Sequence, residues 1–412
     1  MNTFSYLRSK ILFMYNAYIV DALRSPVGKY AGSLSQTRPD DLAAAVIKGI
    51  IERNPSLDPE LVEDVILGAA NQSGEDNRNV GRMSALLAGL PITTGGLTVN
   101  RLCASGLQAI MDAAKALHCQ EGSVYISGGV ESMSRAPFVM AKSYEAFSRS
   151  TEIYDTTIGW RFINPALSKL HYPFTMGETA ENVAEEWKIS REDQDKFALE
   201  SQNKYFAAKA MNRFEDEILP IQVKSGKELI QFSTDEHPRE SSLEKLASLK
   251  PAFKQGGSVT AGNSSGINDG AACLLMMNET ALKSQNATPM ARVVSLAIAG
   301  VSPHIMGVGP IPATKKALQR AGLSIADIGL VELNEAFASQ SIACLRDLEI
   351  NPDIINVNGG SIAIGHPLGA SGARISTTLL HEMKKRKVKY GLATMCIGVG
   401  QGAAIIYENL NV

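Results

Sequence analysis

A chain of 412 residues, 45% hydrophobic and 20% charged, is long enough for two or three cores and has the balance of an ordinary globular protein. Its net charge of −2 gives no electrostatic case for nucleic acid or an anionic membrane surface as partner. Five scattered cysteines, an odd number without a C-x-x-C pair, exclude a disulfide framework and a zinc-ligand spacing, and fit a reducing, cytoplasmic compartment and a site without metal.

No stretch approaches the roughly 18 consecutive apolar residues of a membrane helix. Residues 1–14 carry Arg8, Lys10 and the short apolar run Ile11-Leu12-Phe13-Met14, with no small-residue cleavage site after it. They read as a disordered extension, or as a mis-start upstream of Met14 as the natural start, rather than as a targeting segment. Residues 15–130 form a first core half. Ala17–Asp21 is a strand, and Pro39-Asp40-Asp41 starts a helix. Asp64–Ala69 is a strand, Met83–Leu90 a helix, and Val124–Gly129 a further strand. Strands alternating with helices predict an α/β architecture with parallel pairing.

Between that helix and that strand lies Leu97-Thr98-Val99-Asn100-Arg101-Leu102-Cys103-Ala104-Ser105-Gly106. A strand ends near Asn100 and a helix starts near Cys103. That helix has only Gln108, Asp112 and Lys115 as polar breaks, so it is buried. A cysteine there is either a small core residue or a thiolate favoured by the helix N-terminus.

Residues 131–258 change character. They are polar and irregular, broken by Pro165, Pro173, Pro220, Pro238 and Pro251, with helices over Glu178–Trp187 and Arg191–Ala210. Ser190-Arg191-Glu192-Asp193 has the outline of a capping box. Such an insertion reads as a lid over a site. The core resumes over 259–290, which finishes the first half, and 291–412 forms the second. That half holds strands at Ala291–Gly300, Ile328–Leu333 and Ile354–Asn358, and a closing hairpin around Cys396–Gly402.

The halves repeat. Val99-Asn100 then Cys103-Ala104-Ser105-Gly106 echoes Val357-Asn358 then Gly369-Ala370-Ser371-Gly372, and Val124–Gly129 echoes Ala393–Gly398. A pseudo-two-fold axis would lay the Cys103 and Ala370 helices side by side. His366, just ahead of the second helix and among glycines, would then approach Cys103, where it can act as its base. Cys396 is core packing or a second thiol for acid/base work on carbon. Asn334 ends a strand and suits an oxyanion site, as do the N–H groups of Cys103 and Gly398. Cys119, Cys273 and Cys344 read as core.

Asn100-Arg101-Leu102-Cys103-Ala104-Ser105-Gly106, Asn334-Glu335-Ala336-Phe337-Ala338, Gly365-His366-Pro367 and Cys396-Ile397-Gly398-Val399-Gly400 stand in an order that resembles the thiolases, from about Ala17 to Tyr407. The resemblance implies a duplicated αβαβα five-layer core with a lid insertion, assembled as a homodimer or a tetramer of dimers. It implies a reversible Claisen condensation or thiolytic cleavage of a 3-ketoacyl-CoA. Cys103 would take the acyl group, activated by His366, and Cys396 would exchange the α-proton. His366 with a water held by Asn334, and the N–H groups of Cys103 and Gly398, would form two oxyanion holes. Coenzyme A and acetyl-CoA enter as substrates, with no permanently bound cofactor. The binding groove maps to Met176, Arg239, Ala261, Gly262, Ser265 and Phe337, with Thr175 where the family often has a His.

Gly74–Val80 and Asp155–Pro165 look like the β-ketoadipyl-CoA subgroup, with acetoacetyl-CoA as the other candidate substrate, which places the chain in fatty-acid or aromatic degradation. A carboxylate-ended substrate would want a cation, and Arg78, Arg135 and Arg161 are the candidates. A ketoacyl-synthase-type condensing enzyme pairs one Cys with two His, or His and Asn, against Cys396 here. An inactive acyl-CoA carrier would have lost Cys103 or His366.

Overall fold

The two helices that the repeat singles out lie in the middle of the molecule. The computed structural model describes residues 16–412, so the expected extension over 1–14 falls outside the described residues. The first half runs β1 (Tyr18–Arg24), α1 (Pro39–Arg53), β2 (Val62–Gly68), α2 (Val80–Leu87), β3 (Gly95–Val99), α3 (Ser105–Cys119) and β4 (Val124–Ser132). After an insert holding α4 (Met176–Glu186) and α5 (Arg191–Ala210), β5 (Asn268–Met277) returns to the sheet. The second half runs β6 (Ala291–Gly300), α6 (Pro310–Ala321), β7 (Leu330–Leu333), α7 (Ala338–Asp347), α8 (Leu368–Arg386), β8 (Tyr390–Ile397) and β9 (Gln401–Asn409).

The sheet order is β7-β8-β9-β6-β1-β5-β4-β2-β3. The halves are therefore β1-β5-β4-β2-β3 and β6-β9-β8-β7, joined edge to edge by Tyr18↔Arg292 and Ile19↔Ala291. Pairing is mixed rather than parallel throughout. Only β2 with β3 and β4, and β7 with β8, are parallel. Strand β9 follows β8 through a tight turn and must run antiparallel, and β5 enters from the insert in the antiparallel sense.

The expected strand over Ile354–Asn358 is reduced to one bridge, Ile355 to Val331. Asn356 adopts φ 43°, which breaks an extended run, and its side-chain amide replaces the ladder. It accepts from Leu333 N and donates to Leu333 O, each at 2.9 Å. Helix α2 starts at Val80 rather than Met83 because the Asn79 side chain accepts from Arg82 N at 3.2 Å. Ser190 caps α5 through Asp193 N, but the Asp193 carboxylate pairs with Arg346 at 3.1 Å instead of closing a box. Cys273 and Cys344 are buried, whereas Cys119, the last residue of α3, is exposed and not core.

Three apolar clusters give the layers. Leu42, Val46 and Ile50 of α1 pack on Ile126 and Leu275 on the outer side of the first half. Ala313 and Ala317 of α6 pack on Val331, Leu392 and Ile406 outside the second. Between the sheets, Leu107, Ile110 and Met111 of α3 meet Ile375, Leu379 and Met383 of α8. The result is helix, sheet, helix pair, sheet, helix: five layers.

The central helices cross backbone to backbone. A Cβ on Gly106 would stand 2.7 Å from Gly369 O and 3.0 Å from Ala373 N, and one on Gly372 would collide with the Leu107 backbone. The insert is fastened by a buried ion triad. Arg24 of β1 meets Glu217 at 2.6 Å and Asp235 at 2.7 Å, both from the insert. Its helices α4 and α5 lie on α7, and α5 also covers Ser361–Ile364.

Because alanine ordinarily stabilises a helix over glycine, Gly372→Ala separates propensity from packing. We expect a loss of about 1–3 kcal/mol from overpacking, read as a lower urea midpoint at unchanged m-value; a higher midpoint would refute the close contact.

Candidate functional site

Cys103 stands in the turn between β3 and α3. Leu102 at φ 47° reverses the chain, and Asn100 Oδ1 accepts from Leu102 N at 2.9 Å. Ser105 Oγ accepts from Arg101 N at 2.9 Å and donates to Leu102 O at 2.6 Å. These bonds hold the Cys103 sulfur against two backbone donors, its own N–H and that of Gly398. Gly398 reaches it from the β8–β9 turn, where Val399 (φ 64°) and Gly400 (φ 86°) are left-handed.

Burial nonetheless pushes the Cys103 thiol up from its ordinary value, outweighing both N–H groups, and the Glu131 carboxylate adds to the rise. The expectation that the helix terminus favours thiolate does not hold in the resting site. Cys396, near the end of β8, is buried among Ala180, Met306, Ala336 and Phe337, with Met176 beside it. Its thiol is raised well above its ordinary value by burial and then by the neighbouring Cys103 sulfur. Cys103, Cys396 and Gly398 are thus brought together.

His366 follows Gly365, whose φ of 114° admits no ordinary side chain. Its N–H donates to Asn268 Oδ1 at 2.9 Å. Its Nδ1 lies 2.6 Å from Ser371 Oγ, and that hydroxyl donates its single proton to Pro367 O at 2.9 Å. Nδ1 must therefore carry the ring hydrogen, leaving the lone pair on Nε2. Asn334 Nδ2 faces that lone pair at 3.4 Å. Burial, with Arg374 adding, pushes the His366 pKa down to about 3, so the ring is a neutral base.

Asn334 is oriented in turn. Its Oδ1 accepts from Ser361 Oγ at 2.6 Å, Ser361 accepts from Arg374 Nη2 at 2.8 Å, and Arg374 Nη1 lies 3.6 Å from Glu332. Ser361, Ser371 and Arg374 escape a motif reading. Ser371 alone carried a signal: it is the repeat partner of Ser105, and each serine ties down the start of its own central helix.

A cavity of about 500 Å³ opens over Cys103, lined by Gly398, Val399, Leu102, Thr175, Met176, Glu131 and the segment 156–162. Glu131 accepts from Ala70 N (2.9 Å), Asn71 N (3.0 Å) and Gly369 N (2.7 Å), which staples the two halves beside the cavity. Burial raises its pKa to about 7.

The six residues mapped to a nucleotide-thiol groove form a connected run. Arg239 Nη2 donates to Ala261 O at 2.8 Å, and Gly262 is covered by Leu246 and Leu249. Ser265 N donates to Ala336 O at 3.0 Å, and Ser264 bridges Phe337, which packs with Met176. Thr175 is occupied as the cap of α4, in a capping box with Glu178. Of the three arginines, Arg135 is paired with Glu75 and Arg78 is exposed away from the cavity, while Arg161 lines it. Among the described residues no cluster of three or more His, Cys, Asp or Glu could hold a metal, and no helix is long and apolar enough to cross a membrane.

The family model described as Thiolase, N-terminal domain matches residues 17–280, and Thiolase, C-terminal domain matches residues 287–409. A "3-oxoadipyl-CoA/3-oxo-5,6-dehydrosuberyl-CoA thiolase" of Escherichia coli is 53% identical over 401 residues, 96% of this chain and 100% of the relative. A "Beta-ketoadipyl-CoA thiolase" of Acinetobacter baylyi is 54% identical over the same shares. The crystal structure of human mitochondrial 3-ketoacyl-CoA thiolase in complex with CoA superposes with a TM-score of 0.89 at 41% identity, covering 96% of this chain and 98% of that one. With both halves matched and relatives aligned over nearly its whole length, this chain belongs to the thiolase family and is an acyltransferase.

Proposed function

We propose that the enzyme cleaves β-ketoadipyl-CoA with coenzyme A to succinyl-CoA and acetyl-CoA, through an acyl group on Cys103. The observation that carries this reading is the Cys103 sulfur facing the N–H groups of Gly398 and Cys103, beside the Cys396 thiol. His366 Nε2, with its lone pair fixed by Ser371, takes the Cys103 proton as the thiolate attacks the 3-keto carbon. The resulting oxyanion is held by the N–H groups of Cys103 and Gly398. The carbon–carbon bond breaks, and Cys396 gives its proton to the α-carbon of the departing acetyl-CoA. The protonated His366 and the Asn334 amide are the donors for its enolate oxygen. Incoming coenzyme A returns a proton to Cys396 and attacks the acyl-enzyme, and His366 reprotonates Cys103. The chemistry runs equally in reverse.

The groove from Arg239 to Met176 would hold coenzyme A, a reading supported by the CoA complex of the human neighbour. The names of the Escherichia and Acinetobacter relatives support a carboxylate-ended substrate over acetoacetyl-CoA. Five unpaired cysteines support a reducing, cytoplasmic setting. The exposed apolar side chains of Phe138, Met140, Tyr144 and Phe147 support assembly into a homo-oligomer.

Mixed with acetyl-CoA, Cys103→Ala should form no covalent acetyl adduct by intact mass; a surviving adduct would sink the nucleophile assignment. Cys396→Ala should keep the adduct while turnover drops about 100-fold or more; normal turnover would remove Cys396 from the chemistry.

The neutral His366 has a stability signature. Its folded pKa of about 3 lies below the ordinary histidine value, so as pH falls the unfolded chain takes the proton first. Stability from this group is full at neutral pH and declines by up to about 1.4 kcal/mol per pH unit in acid. The raised carboxyl of Glu131 acts in the opposite sense, losing its contribution as pH rises toward its folded value of about 7. Urea midpoints of the wild type and His366→Asn, compared at pH 6 and pH 4, should show a shallower acid loss in the variant; equal slopes would contradict a buried neutral ring.

A further inference from the structure

Three arginines have equal claim from sequence to meet the far end of an acyl chain, and their surroundings separate them. Arg135 has both of its outer donors engaged. Its Nε and Nη2 meet the two Glu75 oxygens at 2.6 Å each, and Nη1 donates to Ser35 O at 3.2 Å. Arg78 is exposed and lies outside the Cys103 cavity. Arg101, next to the nucleophile, is held by Gln108 at 2.7 Å and Gln401 at 2.8 Å.

Arg161 is different on every count. Among the described residues it is the one cation in the lining of the cavity over Cys103. It is part-buried, between Trp160 and Phe162, which share that lining, and among the described residues it has no hydrogen-bond or ion-pair partner. Glu131, the acid in the same lining among the described residues, accepts from the N–H groups of Ala70, Asn71 and Gly369 and forms no ion pair with it. An unpaired, part-shielded guanidinium in the wall of this cavity is a site for a planar anion. A carboxylate matches its fork with two parallel hydrogen bonds. The segment is tied to the core where Asn71 Nδ2 donates to Thr156 O and Thr156 Oγ1 at 3.0 Å each, and within the insert Trp160 Nε1 donates to Phe174 O at 3.0 Å.

We infer that Arg161 is the residue that selects acyl chains ending in a carboxylate. It would receive that group while the thioester end of the chain sits on Cys103. The inference rests on the thiolase reading above and names the specificity determinant of the same site.

The test compares kcat/KM for β-ketoadipyl-CoA and for 3-ketohexanoyl-CoA, which has the same chain length and a methyl end, in the wild type, Arg161→Gln, Arg161→Lys and Arg78→Gln. The wild type should prefer the carboxylate. Arg161→Gln should lose about tenfold to hundredfold on β-ketoadipyl-CoA, the worth of a charged hydrogen-bond pair, mostly in KM, and change little on 3-ketohexanoyl-CoA. Arg161→Lys should recover part of the loss, and Arg78→Gln should behave as the wild type. A wild-type preference that survives Arg161→Gln, or that is lost in Arg78→Gln instead, overturns the assignment and leaves the proposed substrate standing. A wild type that does not prefer the carboxylate overturns the proposed substrate, and the assignment with it. Equal losses on both substrates in Arg161→Gln mark a structural role and also overturn it.

Discussion

The contact on which the rest of this molecule depends is the crossing of α3 and α8 at Gly106, Gly369 and Gly372. Each glycine costs about 1 kcal/mol of helix propensity relative to alanine. What they permit is an approach that no Cβ would allow, with Gly106 against Gly369 O and Gly372 against the Leu107 backbone. Because the two helices close to this distance, the turn ahead of α3 and the turn ahead of α8 face one region. One turn carries Cys103 and the other His366. The apolar side chains further along the same helices, such as Ile110 and Leu379, fill the space between the sheets and hold the crossing shut. Glu131 then ties the start of α8 to the loop after β2, so that the two halves meet at a saturated carboxylate.

Such a dry interior sets the protonation states. Both thiols are pushed up and the imidazole is pushed down, all chiefly by burial. The two thiols and the ring are therefore uncharged at rest, with Glu131 and Arg161 in the cavity lining. The groups that orient Asn334 and His366 are hydroxyls: Ser361 donates to Asn334 Oδ1, and Ser371 accepts from His366 Nδ1, so neither partner is itself charged.

How much of this could be read beforehand follows from what is local. The central helices announced themselves by lacking a polar face, and the duplication by matching short motifs. The site residues Cys103, His366, Asn334, Cys396 and Gly398 all lie at strand ends or helix starts, where turn chemistry is written in adjacent residues. Strand pairing was not legible, because β1, β5 and β6 find their neighbours across hundreds of residues and the insert decides the direction of β5. The broken strand at Asn356 depends on a single side chain whose amide finds Leu333. The thiol of Cys103 was misjudged because the helix terminus is a local feature and burial is not. Arg78, Arg135 and Arg161 are equivalent as letters, and only the placement of Glu75 and of the cavity wall distinguishes them.

The segment 156–162 has a consequence of a different kind. It forms one wall of the cavity, yet it belongs to the insert, and residues such as Ile158 and Phe162 are largely exposed. It hangs from the core by the Asn71 amide, and one indole hydrogen bond ties it to Phe174 of the same insert. Behind the opposite wall, at the crossing of α3 and α8, the backbone is glycine-packed and an added methyl group collides. Substitutions can therefore accumulate in the first wall while the second stays frozen. A lineage built on this chain can reshape the cavity over Cys103 by drifting in a few loop positions, with the backbone around the α3–α8 crossing inherited intact.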